Sequence, residues 1–184
     1  MASDTIPNGP AVDLGCGSGV ATAYLARRFS PAIGLDFAES AVRQAKELAL
    51  EGGVQADFLV AEVPHLPFRS GAFGFVFDRG CLQGMPRWLW PEYFVEVSRL
   101  LMPGGVLQLM LSKPERPSAL SIKGLKARIR RAMPGKRSRG RLSPEGRVLR
   151  LRPASFQTLR REEFSFRTNT GRVRHFAHWV FQKT

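Results

Sequence analysis

Short apolar runs alternate with longer amphipathic stretches through the first 112 residues of the chain. Runs of four to six mostly apolar residues are typical of strands that are buried on both faces of a parallel sheet. The stretches between them repeat apolar residues every three or four positions, which is typical of helices that pack on such a sheet. The predicted strands are 11–14, 32–35, 57–60, 73–77 and 106–111, and the predicted helices are 20–28, 38–50 and 88–101.

The pattern changes towards the end of the chain. Residues 153–161 are predicted to form a last helix, with a proline near its start. Residues 164–167 and 173–182 alternate apolar and polar positions, and this period of two is typical of strands. They suit an antiparallel pair, so the whole pattern favours an α/β fold.

The length of 184 residues, with 43% apolar content, is enough for one compact domain and too little for two. We therefore expect residues 1–184 to form a single domain. The first ten residues lack the charged and apolar regions of a signal peptide, and no run approaches the ~18 apolar residues of a membrane span. Cys16 and Cys81 are the only cysteines, too few for a disulfide framework, which favours a cytoplasmic protein.

The formal net charge of +13 is distributed unevenly. Residues 1–112 carry 8 Lys or Arg and 11 Asp or Glu, whereas residues 113–184 carry 20 and 4. Twelve of the basic residues lie between 123 and 152, together with a single acid, Glu145. An acidic-to-neutral first part is therefore joined to a strongly basic second part.

The basic segment 113–152 has three interpretations. It is a lid over a site at the end of the fifth strand, a contact for an anionic partner, or a solvated insertion. RNA or a membrane surface would suit the second interpretation, because the clustered Lys and Arg of 123–152 neutralise phosphates. Residues 120–133 are compatible with a basic helix and residues 134–141 with a loop, but charge alone does not choose a partner.

A glycine-rich turn follows the first predicted strand and precedes the first predicted helix. Gly15, Gly17 and Gly19 occupy alternate positions, where the missing Cβ atoms allow unusual backbone angles and close approach to a ligand. A strand, turn and helix in this order suit a nucleotide-type ligand. The dinucleotide fingerprint G-x-G-x-x-G does not fit, because Val20 stands where its third glycine would be.

This turn resembles the first motif of the class I S-adenosylmethionine-dependent methyltransferases. The motif residues are Asp13-Leu14-Gly15-Cys16-Gly17-Ser18-Gly19. The resemblance implies a Rossmann-like, doubly wound sheet of seven strands in the order 3-2-1-4-5-7-6, with the last strand antiparallel. The basic segment 113–152 is where the chain departs from this minimal fold, as an insertion after strand 5. It also implies S-adenosylmethionine as the cofactor and S-adenosylhomocysteine as its product, bound by this loop with Asp13 near the zwitterionic methionine tail.

Two further segments add candidate cofactor-binding residues. Asp36 ends the second predicted strand, where a carboxylate can accept hydrogen bonds from both ribose hydroxyls, and Phe37 beside it can flank the adenine ring. Alternatively, the Asp36 carboxylate caps the amino end of the predicted helix 38–50. The resemblance also implies that the carboxylate of Glu62 and the backbone of Val63 contact the adenine amino group, although Asp is usual at the position of Glu62.

The end of the fourth predicted strand resembles a subgroup, the thiopurine methyltransferase-like small-molecule enzymes. The matching residues are Asp78-x-Gly80-Cys81, whereas Gln83 stands where histidine is usual. We expect Asp78 to face the cofactor. The candidate residues for binding the methyl acceptor are Arg79, Cys81, Gln83 and Trp88. Trp90 is an alternative to Trp88, and both tryptophans could instead belong to the core.

The predicted activity is transfer of a methyl group from S-adenosylmethionine to an S, O or N atom of a small-molecule acceptor. No catalytic base and no metal site is assigned, and the lack of a base favours a thiol or a phenol. One alternative is an RNA or protein methyltransferase that uses the segment 113–152; another is a non-catalytic S-adenosylmethionine-binding partner protein. Only ten residues precede the first strand, so the site is open, covered by 113–152, or completed by another subunit.

Overall fold

A computed structural model describes residues 8–113, 143–168 and 171–184 of the chain. The predicted basic helix at 120–133 and the predicted loop at 134–141 lie outside these ranges. The described strands are β1 Ala11–Leu14, β2 Ala32–Asp36, β3 Asp57–Val60, β4 Phe73–Arg79, β5 Leu101–Lys113, β6 Phe156–Arg167 and β7 Val173–Lys183. The described α-helices are α1 Val20–Leu25, α2 Glu39–Glu51, α3 Cys81–Gly84, α4 Trp90–Leu100 and α5 Pro144–Leu151.

The seven strands form one sheet in the order β3-β2-β1-β4-β5-β7-β6, which confirms the predicted order. Neighbours from β3 to β5 are parallel, whereas β7 is antiparallel to both β5 and β6. The chain order reverses direction between β1 and β4. Ligands of open α/β sheets bind outside the carboxyl ends of the strands at such a switch point.

The core lies on both faces of this sheet. On one face α4 and α5 pack against the sheet, and the largest buried side chains there are Trp90, Tyr93, Phe94 and Trp179. On the other face the rings of Phe29 and Phe75 stack at 5.0 Å beside α1. All four residues of β1 are buried, as the apolar run at 11–14 predicts for a strand covered on both sides.

The predicted helix at 153–161 is wrong. The helix lies earlier, at Pro144–Leu151, where the Ser143 hydroxyl accepts a hydrogen bond from the Gly146 amide and Pro144 occupies the first turn. Residues 156–167 form β6, which pairs with β7 over its whole length. The charged run at 160–163 favours a helix locally, but pairing with β7 satisfies the backbone groups and overrides that preference.

Other elements differ from their predictions mainly at their ends. The first helix ends at Leu25, and β4 and β5 are longer than predicted. A short 3-10 turn at Arg87–Leu89 replaces the start of the predicted helix at 88–101. The basic segment starts at the last residue of β5 and includes α5, while its residues 114–142 are outside the described ranges. None of the helices in the described part of the chain is long and apolar enough to cross a membrane.

Gly34 in β2 provides a stability test of the packing beneath the site. A Cβ atom on Gly34 would lie 2.7 Å from both the Phe58 ring and the Thr22 hydroxyl. We expect Gly34→Ala to lower the free energy of unfolding by about 1–3 kcal/mol through overpacking. Urea unfolding measures this loss. Gly84→Ala is the control, because nothing lies within 4 Å of the added atom; equal losses in the two variants would contradict the packing argument.

Candidate functional site

A cavity of about 480 Å³ lies at the carboxyl ends of the parallel strands, beside the switch point. Four loops form its walls: the glycine turn after β1, the end of β2, the loop after β3 and the turn after β4. Seven of the predicted site residues line it: Gly15, Asp36, Phe37, Glu62, Val63, Arg79 and Cys81. Its volume lies in the range of small-molecule and cofactor sites.

The three glycines of the turn after β1 all have positive φ angles, of 69°, 55° and 79°. Gly15 and Gly19 are required by packing, since added Cβ atoms would lie 2.9 Å from Cys81 and 2.7 Å from Phe58. At Gly17, in contrast, nothing lies within 4 Å of an added Cβ atom. The turn therefore packs tightly at both ends and is open in the middle.

The carboxylate of Asp36 joins two walls of the cavity. Its Oδ2 atom accepts a hydrogen bond of 2.9 Å from the Gly17 amide, and its Oδ1 atom accepts one of 3.0 Å from the Ala38 amide at the start of α2. Each carboxylate oxygen has two acceptor sites, so the group still has capacity to bind a ligand. Phe37 follows on the cavity wall and is 78% exposed.

Asp13 lies beneath the glycine turn. It is buried, and its Oδ2 atom accepts a 2.7 Å hydrogen bond from the Thr22 hydroxyl. Burial is the largest effect on this group and raises its pKa to about 6, although the Thr22 hydrogen bond and the charge of Arg79 act in the opposite direction. Asp13 is therefore a carboxylate that is protonated more easily than usual, and it lies under the loop rather than in the cavity wall.

Asp78 organises the turn after β4. Its carboxylate accepts hydrogen bonds from the amides of Gly80, Cys81 and Leu82, and from the Tyr93 hydroxyl at 2.7 Å. Burial raises the pKa of Asp78 to about 6, while these hydrogen bonds lower it. The side chain is completely buried beneath the wall that Gly80 and Cys81 form.

A third carboxylate holds the loop after β3. Glu96 of α4 accepts a 2.9 Å hydrogen bond from the Leu66 amide and pairs with Arg99 at 2.6 Å. Arg99 in turn donates to the carbonyl oxygens of Leu66 and Phe68. The hydrogen bonds to Arg99 and Leu66 lower the pKa of Glu96 despite its partial burial. This pair fixes the segment that follows Glu62 and Val63 in the cavity wall.

The two cysteines are free thiols. Cys16 packs against α2 and β3, and burial, followed by the charges of Asp13 and Asp36, raises its pKa to about 12. Cys81 lines the cavity, and burial together with the nearby Asp78 raises its pKa far above the usual range. Neither group is a thiolate at neutral pH.

The remaining acceptor candidates lie outside the cavity lining. The Gln83 side chain donates to the carbonyl of Ser112 and accepts from its amide, both at 2.8 Å, which ties α3 to the end of β5. Trp88 is 72% exposed in the 3-10 turn. Trp90 is buried in the core, and its indole N–H donates to the Met85 carbonyl.

Sequence reasoning did not single out the apolar wall of the cavity or the residues that brace it. Met85, Pro86 and Leu89 line the same cavity as Asp36 and Glu62. The bracing side chains are Tyr93, Glu96 and Arg99 of α4. Their three-residue spacing places these polar groups along the otherwise apolar side of that helix, and this signal could have identified them.

A family model described as a methyltransferase domain matches residues 11–105, slightly more than half of the chain. The chain belongs to this methyltransferase family. The match extends from β1 into β5 and so includes the glycine turn, Asp36, the loop after β3 and the turn after β4. The resemblance to class I methyltransferases is thereby confirmed for this chain, and the order of its strands agrees.

A curated protein similar to this chain agrees with that assignment. The chain is 35% identical over 98 residues to 2-heptyl-1-hydroxyquinolin-4(1H)-one methyltransferase of Mycobacteroides abscessus, which covers 53% of this chain and 43% of the relative. The chain spans about half the length, or less, of the first curated relatives it matches.

Two solved structures share the fold. One, an S-adenosylmethionine-dependent methyltransferase of Methanosarcina mazei, has a TM-score of 0.69 at 22% identity, over 96% of this chain and 92% of that one. The other, the 1,6-didemethyltoxoflavin-N1-methyltransferase of Burkholderia thailandensis with bound substrate and S-adenosylhomocysteine, has a TM-score of 0.65 at 17% identity, over 96% and 72%.

The raised pKa of Asp13 predicts a specific pH dependence of stability. An unfolded aspartate has a pKa near 4, so between pH 4 and 6 the folded protein binds the extra proton. The stabilisation of the fold by this proton on Asp13 is complete below pH 4 and is lost as the pH rises through 6. From pH 5 to pH 7, the free energy of unfolding of Asp13→Asn should therefore rise by about 1 kcal/mol relative to that of the wild type.

Urea unfolding at the two pH values measures this difference. Asp57→Asn is the control, because Asp57 is exposed at the amino end of β3. A pH-independent difference between Asp13→Asn and wild type would show that the carboxyl of Asp13 titrates as it does in the unfolded chain.

Proposed function

We propose that this chain transfers a methyl group from S-adenosylmethionine to an S, O or N atom of a small-molecule acceptor and releases S-adenosylhomocysteine. One observation supports this most directly. The Asp36 carboxylate lies on the cavity wall, is positioned by two backbone amides and keeps free acceptor capacity. A carboxylate at the end of the second strand suits the two hydroxyls of a ribose.

The residues around the cavity fit this cofactor along its length. Phe37 offers an exposed ring to one face of the adenine, and Glu62 and Val63 offer a carboxylate and a backbone to its edge. The open space at Gly17 lets a ligand approach the backbone of the glycine turn, with Asp13 beneath it. We assign Gly15, Cys16 and Gly19 to the same loop, and Asp78 to the support of the turn that faces the transferred group.

When bound, S-adenosylmethionine supplies a methyl group on a positively charged sulfur. The chain then has to bind the acceptor, align its nucleophilic atom and exclude water. Met85, Pro86 and Leu89 provide an apolar wall that suits a ring, and Arg79 provides a positive charge on the same cavity. A cation beside the acceptor favours its ionised form.

The described cavity lining contains no histidine, and neither cysteine is a thiolate at neutral pH. An acceptor that ionises readily by itself therefore suits the site better than one that needs a strong protein base. Thiols, phenols and acidic N-hydroxyl groups have this property. We infer that the acceptor belongs to this class.

The relatives support a small acceptor. The Mycobacteroides abscessus protein is named for a hydroxyquinolone, and the Burkholderia thailandensis structure contains bound 1,6-didemethyltoxoflavin. We also propose that the chain belongs to the thiopurine methyltransferase-like subgroup, on the basis of Asp78-x-Gly80-Cys81. We further propose that residues 1–184 form a single domain, which the one continuous sheet supports. The alternative of an RNA or protein acceptor rests on 123–152, most of which is outside the described ranges.

Calorimetric titration of S-adenosylmethionine and S-adenosylhomocysteine tests this function. We expect both to bind to the wild type, and Asp36→Asn to weaken both by about tenfold, because the amide loses a charge-assisted acceptor for the ribose. Asp57→Asn is the matched control, since it removes a carboxylate from the opposite edge of the sheet.

Two outcomes would contradict these assignments separately. Absence of binding to the wild type would overturn the proposed function. Wild-type affinity of Asp36→Asn would overturn the role of Asp36 alone and leave the function standing. Urea unfolding of each variant verifies that the fold is retained.

A further inference from the structure

Three phenylalanine rings stack at the outer end of the β6–β7 hairpin, away from the cavity. Phe176 stacks on Phe164 and on Phe166, with a centroid distance of 5.4 Å in each pair and interplanar angles of 12° and 9°. Phe164 is 38% exposed and Phe166 is 49% exposed. Two of the three stacked rings are therefore substantially exposed to solvent, which marks an interaction surface rather than core packing.

All three rings lie on the same face of the sheet. Phe164 is directly opposite Phe176, and Phe166 follows Phe164 by two residues, so the side chains share a face. The residues of β7 on the other face, Ala177 and Trp179, are buried in the main core. The phenylalanine stack is thus turned away from that core.

Arginines surround the open end of this stack. Arg174 is directly opposite Phe166 and shares its face, and Arg172 directly precedes β7 where the hairpin turns. Arg167 ends β6 and by strand alternation belongs to the opposite face. The Arg167 guanidinium donates to the Gly171 carbonyl at 3.3 Å. Within the described ranges, Arg172 and Arg174 form no ion pair.

The acids of this region lie elsewhere. Glu163 and Glu145 both pair with Lys113, at 2.6 and 3.2 Å. By strand alternation Glu163 belongs to the face opposite the phenylalanines. Glu162 shares the phenylalanine face, but it lies at the inner end, where it is 3.6 Å from Arg160 and 3.9 Å from His178. The exposed rings are therefore next to positive charge that no acidic residue in the described ranges pairs with.

The stack is near the edge of the sheet that carries the cavity. Ser112, near the carboxyl end of β5, is directly opposite Phe176. The Gln83 side chain binds the backbone of that same Ser112, and the next residue, Gly84, lines the cavity. A ligand held on the rings would thus lie beside, and not inside, the cavity.

We propose that the hairpin surface formed by Phe164, Phe166, Phe176, Arg172 and Arg174 binds single-stranded nucleic acid. Unpaired bases stack on aromatic side chains that stand on a sheet, and arginines neutralise the phosphates between the bases. A duplex conceals its base faces and would use only the charge. A membrane would be contacted by separately inserted apolar side chains, whereas these rings already stack face to face. This proposal does not depend on methyl transfer.

Fluorescence anisotropy of the full chain with a labelled oligouridylate of about 12 nucleotides tests the surface. We expect the double variant Phe164→Leu/Phe166→Leu to lose at least about fivefold in affinity, because leucine keeps the apolar side chain but not the stacking face. Phe166→Trp should retain wild-type affinity within about twofold, since it keeps a flat ring. A duplex of the same length should bind more weakly than the single strand.

Charge is tested separately. Arg172→Gln/Arg174→Gln should weaken binding and lower the slope of log K against log salt by about 1.4, at ~0.7 per phosphate contact with a single strand. Arg43→Gln/Lys46→Gln is the matched control, because it removes two exposed charges from α2, far from the hairpin.

The proposal is overturned if the hairpin variants bind the oligonucleotide as the wild type does, which would place binding elsewhere, such as 123–152. It is also overturned if the wild type binds phosphatidylserine vesicles but no oligonucleotide. A third contradictory result is an equal loss of affinity for single strand and duplex in the leucine double variant. Titration of S-adenosylhomocysteine into the same variants separates this result from the proposed function, since the hairpin lies outside the cavity.

Discussion

The shape of the candidate site depends on the carboxylate of Asp36. Two strands that are neighbours in the sheet, β1 and β2, end in different loops, and a backbone hydrogen bond of 2.8 Å from the Cys16 amide to the Leu35 carbonyl joins the glycine turn to β2. Asp36 accepts one amide from each loop, from Gly17 and from Ala38. Hydrogen bonds to an ionised acceptor are stronger than neutral ones, so a single charged side chain keeps the glycine turn against the start of α2.

Carboxylates also accept backbone amides at the other walls of the cavity. Asp78 accepts three consecutive amides from the turn after β4, and Glu96 accepts the Leu66 amide from the loop after β3. Each wall is a loop with little regular structure, and each is held by a carboxylate that satisfies its backbone N–H groups. Satisfying buried amides in this way allows irregular segments to be rigid at a binding site.

The fold could be predicted from the sequence because strands covered on both faces are apolar at nearly every position, as 11–14 and 32–35 show. Asp36 was identifiable because it directly follows such a run. The bracing of the loops by Tyr93, Glu96 and Arg99 was not predicted, since their partners lie about fifteen to thirty residues earlier and depend on how α4 crosses the sheet. The proline near the start of 153–161 predicts a helix there, whereas pairing with β7 decides the structure of 156–161.

β6 is an edge strand of 12 residues, with one side of its backbone not paired to any other strand of the described sheet. Exposed edges of this kind can template the addition of strands from other molecules. Four consecutive charged residues, 160–163, occupy its middle, and a register shift between Thr158 and Arg160 bends it. Both features oppose regular pairing with an incoming strand. No helix of the described residues covers this edge of the sheet, and the edge still resists growth into a fibril.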